Sequence, residues 1–453
     1  MSRPGPRASG VNRPLRILFT AYRGNMRCGG QGIYLWFLAR ELTKLGHHVD
    51  VLVGPPYPDP MPFAGSVDEL PNQQFWAAWF SRDPAALLPD GAPLRVFEPL
   101  NFYELAASRM GFLPEPFAFS LRALRRVAER ARRGERWDIV HDVQCLGWGT
   151  LGIRAMGLPV VTTIHHPLSV DRRASFVRDT DFRDAIGTMS FYPIGMQSFV
   201  ARHIERVFTS SRASAGEIAR DFGVKPEKLC MVANGVDTEL YSPDASVARD
   251  PNEILCVGRA SDPNKGLPGL IEALARLPQR VKLTLVDDDY PENVARKRAQ
   301  QLGCEQRLAL VGRVPTEELV HLYRRAALVV VPSRYEGFGL PAAEAMACAT
   351  PVVATRAGAL PEVVMQAGGG VLVRPDDPEA LAAGIAELLA DSERRATLGA
   401  RGRQGVVDAY AWPQVAAATA EVYAEAIAER RGRPDSTTTS ANQGMPRASQ
   451  SSP

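Results

Sequence analysis

Short apolar runs alternate with helix-periodic stretches twice along this chain, and that alternation restricts the fold more than any other feature. "LRILFTAY" (15–22) suits a buried strand. "GGQGIYLWFLARELTKLG" (29–46) has helical apolar spacing and stops at a glycine, and "HHVDVLV" (47–53) is a second apolar strand. Strand, glycine turn, helix, strand is a βαβ unit, so a parallel sheet follows. The rhythm resumes with a basic helix (118–133) and strands at 138–143, 159–166 and 206–211. A second series starts near 252, with strands expected at 253–258, 282–287, 308–312, 327–333, 350–355 and 370–373. Helices are expected at 378–390, 392–407 and 412–430. Two successive open α/β domains joined near 230–250 are the simplest architecture, since 453 residues exceed one ordinary core.

The expected division is a disordered leader (1–13), a first Rossmann-like domain (14–230) and a second (231–408). A C-terminal helix crossing the domains (409–432) and a Ser/Thr/Pro/Gln-rich disordered tail (433–453) complete it. Residues 54–119 break the pattern and hold 12 of the 34 Phe, Trp and Tyr residues, which makes them an expected irregular region.

Charge narrows the partners. Residues 1–230 carry 29 Lys+Arg against 22 Asp+Glu, a mild excess far short of a nucleic-acid footprint. The basic helix has seven Arg and two Glu over 119–136, with an expected apolar stripe at Leu121, Leu124, Val127, Ala128 and Ala131. It reads first as an amphipathic helix packed on the sheet, and otherwise as a peripheral dock on the inner membrane surface. Six scattered cysteines without a CxxC pair, no leading apolar segment and no bilayer-length apolar run predict a cytoplasmic protein.

In open α/β sheets, ligands sit at the carboxyl ends of the strands. "EGFGLPAAE" (336–344) falls there, with Pro341 suited to a first helical turn and Glu344 one turn in. Two carboxylates around the amides of Gly339 and Leu340 fit a ligand with hydroxyls and a phosphate, but a solvated turn fits the spacing equally. "VGRASDPNKG" (257–266) shifts the balance, because Arg259 and Lys265 stand at another strand end and helix start in the same domain. Gly29, Gly30 and Gly32 resemble a dinucleotide fingerprint but fail it, since Leu35 stands where a small residue is required. They are kept as ligand-facing glycines. "TTIHHPL" brings His165 and His166 to a strand end, where one of them enters the cleft. His141 in "DIVHDV" is a third candidate, for the acceptor.

With these residues in view, the chain resembles the family-4 retaining glycosyltransferases of GT-B architecture over about residues 15–430. Glu336 and Glu344 match the family's E-x7-E signature, Arg259 and Lys265 its diphosphate-binding pair, and His165 the histidine that reaches its reaction centre. The resemblance implies transfer of a sugar from a nucleoside diphosphate donor to an unknown acceptor, with retention and no metal. Catalytic roles fall to Arg259, Lys265, Glu336 and His165. The donor would meet Gly29, Gly30, Gly32, Arg313, Val314, Phe338, Gly339, Leu340 and Glu344, with the base near 312–314, and the acceptor would meet His166 and His141. Three departures stand out: Val143 where relatives carry a second His, Ala357 in place of a Gly, and the acidic "VDDDY" (286–290), which tempts a metal reading. Rival functions are a nucleotide-sugar epimerase on the same fold and a non-catalytic nucleotide-sugar-binding subunit.

Overall fold

A computed structural model describes residues 13–26, 30–71, 92–110, 112–165, 167–169 and 193–432. Gly29, His166, the expected leader up to residue 12, the expected tail and part of the aromatic-rich region lie outside the described residues.

All strand pairings are parallel, as βαβ units require. The first sheet holds β1 (Arg16–Ala21), β2 (His48–Val53), β3 (Ser66–Glu69), β4 (Ile139–Val143), β5 (Val160–Thr163), β6 (Arg206–Thr209) and β7 (Leu229–Met231). Its order is β3-β2-β1-β4-β5-β6-β7. The second holds β8 (Asp250–Val257), β9 (Lys282–Val286), β10 (Leu308–Leu310), β11 (Ala326–Val331), β12 (Val352–Thr355) and β13 (Gly370–Val373), in the order β10-β9-β8-β11-β12-β13. Each order reverses once, between β1 and β4 and between β8 and β11. Loops diverge at such points and leave a crevice at the strand ends.

Several strands end earlier than their apolar runs. The run 327–333 yields β11 only to Val331, because Ser333 turns out to serve the next loop through its hydroxyl. The region expected to be irregular contains β3 and a helix, Pro99–Arg109. The basic helix spans Glu115–Arg132; of the expected stripe only Val127 is fully buried, beside Phe119 and Ala123, while Leu121, Leu124, Ala128 and Ala131 are half-buried. Three of its arginines pair with the protein's own acids: Arg122 with Glu104 at 2.6 Å, Arg126 with Asp68 at 3.1 Å and Arg130 with Glu135 at 2.6 Å. No helix among the described residues is long and apolar enough to cross a membrane.

The last helix, Trp412–Gly432, joins the core of the first sheet through Trp412, Val415, Ala416, Tyr423 and Ile427. Trp412 stacks on Phe37 at 5.4 Å, and burial of Val415 or Ile427 stabilises by about 1.5–3 kcal/mol each. The two crossings between sheets run side by side, with Val236 N bonded to Tyr410 O at 2.7 Å.

Candidate active site

The β8–β11 switch point is assembled from facing loops. Beyond Val257 the chain passes Gly258 to Arg259, whose exposed side chain makes no ion pair among the described residues. The turn Pro263–Lys265 follows, opened by Asp262, whose carboxylate accepts from Asn264 N at 2.9 Å. Gly266 ends the turn at φ +64°, and a Cβ there would stand 2.1 Å from Pro332 O. Glycine therefore lets this loop seat against the loop after β11. Arg334 N bonds Asn264 O at 2.7 Å and ties the two together.

That seating puts Lys265 Nζ 2.9 and 3.2 Å from the two Glu336 oxygens, while Ser333 Oγ donates to the same carboxylate at 3.0 Å. Burial works against the Lys265 charge, but the adjacent Glu336 carboxylate outweighs it and the lysine pKa is raised. The Glu336 carbonyl accepts from Ala359 N at 2.9 Å, and a Cβ on Gly358, at φ +53°, would come within 2.1 Å of that oxygen. Gly339, at φ +98°, is the N-cap of the helix Leu340–Ala347. The amides of Gly339 and Leu340 donate no hydrogen bond among the described residues, which suits an anion.

Glu344 lies one turn into that helix. Tyr323 Oη donates to its Oε2 at 2.8 Å, and Tyr241 also hydrogen-bonds to it. Burial pushes this carboxyl up to about 7, against the pull of the two tyrosines. Tyr241, Tyr323 and Ser333 carried no motif signal, since they come from separate elements. Arg313 is exposed and paired with Asp288 at 3.3 Å, and Val314 packs against the second domain's core.

Three expected positions need correction. Phe338 is 4% exposed and packs edge-on against Tyr410 at 5.4 Å, so its ring belongs to the core rather than to a ligand surface. His141 is 0% exposed, stacked between Phe19 and Phe208, with Nδ1 bonded to Tyr423 Oη and Nε2 to Thr163 Oγ1. Burial drives its pKa down to about 3, and both ring nitrogens are committed away from any cleft. Gly32 is buried, and a Cβ there would stand 2.3 Å from Asn25 O and 2.5 Å from Gly24 O, so its bare face is filled by the chain's own loop. Gly30, by contrast, has open space. The "VDDDY" acids serve separate partners: Asp287 accepts from Ala260 N at 2.8 Å, Asp288 pairs with Arg313, and Asp289 pairs with Arg296. Among the described residues no three or more His, Cys, Asp and Glu side chains come together as a metal site would need.

His165 sits at the end of β5, half-buried, with its amide donating to Gln144 Oε1 at 3.0 Å and its ring edge-on to Tyr34 at 4.9 Å. Gln144 and Leu146 both hold φ +54°, a conformation rare for side-chain-bearing residues. Sequence reasoning missed Gln144, because nothing local marks a strained turn without glycine.

Two parallel α/β units joined through strand-end loops, with cations and a carboxylate at the switch point of the second, define a GT-B glycosyltransferase. The chain superposes accordingly on sucrose-phosphate synthase from Thermosynechococcus elongatus, with TM-score 0.65, 25% identity, and 92% of this chain and 100% of that one covered. Residues 28–240 match Glycosyltransferase Family 4 and residues 237–405 match Glycosyl transferases group 1. The protein is 40% identical to the MMP alpha-(1->4)-mannosyltransferase of Mycolicibacterium hassiacum, over 91% of this chain and 99% of that protein. It is 31% identical to the D-inositol 3-phosphate glycosyltransferase of Xylanimonas cellulosilytica, over 90% and 95%. The chain belongs to the family-4 glycosyltransferases.

Proposed function

We propose that this glycosyltransferase moves a hexose from a nucleoside diphosphate donor to an acceptor seated by the first domain, with retention at the anomeric carbon and without a metal. The observation that carries the reading is the Lys265–Glu336 ion pair at the β8–β11 switch point, with exposed Arg259, which has no ion pair among the described residues, on the same strand-end loop. Cleaving the sugar–phosphate bond builds negative charge on the diphosphate and positive charge on the ring. Arg259, Lys265 and the amides of Gly339 and Leu340 meet the first charge, in place of the positive charge a divalent ion would bring. Glu336 holds donor-sugar hydroxyls and Glu344 the ribose. The departing phosphate oxygen takes the acceptor's proton as the acceptor attacks from the same face. His165 borders the reaction centre from the first domain.

Structures of Anabaena HepE with UDP and with UDP-glucose support a nucleoside diphosphate donor, and the mannosyltransferase relative makes mannose the first sugar to try. The test is a thermal-shift panel of nucleoside diphosphate hexoses, then transfer assays with and without EDTA and NMR of the product's anomeric coupling. No stabilisation by any donor and no nucleoside diphosphate release would sink the reading. An inverted product would remove retention, and loss of activity in EDTA would remove metal independence.

A further inference from the structure

The loop carrying Glu336 is held from the first domain as well as from its own. Ser210 Oγ, Ser211 Oγ and Ser214 Oγ lie 3.2, 2.9 and 3.2 Å from the Gly337 carbonyl oxygen. Ser214 Oγ also lies 3.2 Å from the His165 carbonyl oxygen. A carbonyl oxygen offers two lone pairs and a hydroxyl one proton, so these bonds cannot all be full together. The carbonyls of His165 and Gly337, from different domains, are thus two hydrogen-bond lengths apart through one fully buried hydroxyl.

A second contact lies beside the first. Ser211 caps the helix Arg212–Phe222 by accepting from Ser214 N at 3.0 Å. The next two amides of that helix leave their domain for partners: Arg212 N donates to Glu362 Oε2 at 3.0 Å and Ala213 N to Glu362 Oε1 at 3.1 Å. The Glu362 charge also complements the helix dipole. Glu362 stands in the first turn of the helix Leu360–Ala367, just past Gly358, which abuts the Glu336 carbonyl. Neither Ser214 nor Glu362 bonds to Arg259, Lys265 or the Glu336 carboxylate.

We propose that Ser214 and Glu362 are positioning residues of the transfer reaction: they set the register in which the His165 loop of the first domain meets the Glu336 loop of the second. This rests on the donor-site reading above. When the domains part, Ser214 keeps the His165 carbonyl as its acceptor and the Gly337 carbonyl is released. On closure the serines and Glu362 fix the loop from the first-domain side. Their energy is expressed only in the closed state, where transfer occurs and water is excluded.

Glu362→Gln and Ser214→Ala in the full chain test this. Glutamine puts a non-accepting NH2 where one of the two amides needs an oxygen and removes the charge, and alanine removes the bridge with little change of volume. The measurements are kcat, donor KM, calorimetric affinity for the free nucleoside diphosphate, and the ratio of donor hydrolysis to transfer. Glu362→Gln is expected to lower kcat about tenfold and Ser214→Ala about threefold, with nucleoside diphosphate affinity within about twofold and a raised hydrolysis ratio. Unchanged kcat and hydrolysis ratio in either soluble variant would overturn the proposal, as would a kcat loss matched by an equal loss of nucleoside diphosphate affinity. Should Glu362→Gln not fold, Ser214→Ala decides alone. Wild-type protein that binds no nucleoside diphosphate sinks the donor-site reading. Variants that bind it normally and transfer at the wild-type rate sink only the positioning role.

Discussion

At the β8–β11 switch point the groups reaching the crevice are charged: exposed Arg259, and Lys265 clasped to Glu336. At the β1–β4 switch point of the first sheet, the corresponding strand ends carry buried groups satisfied within the domain. His141 is neutral between two aromatic rings, and burial pushes Asp142 up to about 6 against bonds from Leu146 N, Thr162 and Thr20. Shared topology fixes where a ligand can lie. Solvation of the end residues fixes the charge it can carry: past β1, Arg23 is tied to the buried Glu115, whereas past β8 Arg259 is exposed.

The sharpest way to break this contrast is to discharge the second edge. Lys265→Ala and Arg259→Ala should each lower kcat/KM by about 10²–10³, in the range of an oxyanion-donor deletion, measured by steady-state transfer. Near-normal activity in both would remove the leaving-group role.

Titration separates the edges next. Glu344 keeps its proton to about 7 when folded but ionises near 4.5 when unfolded. The unfolded state binds fewer protons in that window, so this group makes stability fall as pH rises, by roughly 3 kcal/mol in all. Glu344→Gln should therefore gain on wild type between pH 5 and 8 in urea melts; a constant difference would show that Glu344 is already ionised in the fold.

His141 has the opposite sign. Its folded pKa is lowered to about 3 from 6.5, so its stabilising effect is present above 6.5 and lost as pH falls through the window below. His141→Phe should flatten the acid limb of stability and cost about 1–3 kcal/mol at pH 7 by removing the ring-nitrogen bond to Tyr423, while Thr163 keeps its bond to Tyr34. Donor KM should not move, and a large KM change would return His141 to the site.

The smallest effect is expected from Gln144→Gly. It relieves backbone strain of roughly 1 kcal/mol and loses a bond to His165 N of similar size, so the melting temperature should barely change. A large loss would show that the turn depends on the carboxamide far more than on its backbone.

Both domains were readable from apolar periodicity, because a two-faced parallel strand must be apolar throughout and its crossover helix must show a 3.6-residue period. Arg259, Lys265 and Glu336 stand where the sequence placed them, each beside a strand end or a helix start. His141 and Phe338 share that property and misled, since adjacent residues on a strand or loop face opposite ways and the sequence does not say which way. Tyr241 and Tyr323 come from other elements than Glu344 and meet it only after folding.

Sequence alone determined the two parallel sheets and the strand ends at which charge would appear, because backbone sterics and apolar burial act locally and repeat. Tertiary structure decided the rest: that Lys265 clasps Glu336, that Glu344 is held near-neutral by burial, that His141 is core, and that Ser214 and Glu362 join the domains. Solvation and hydrogen-bond partners are properties of neighbours in space, and the chain brings Ser214 to Gly337 and Arg212 to Glu362 from well over a hundred residues apart.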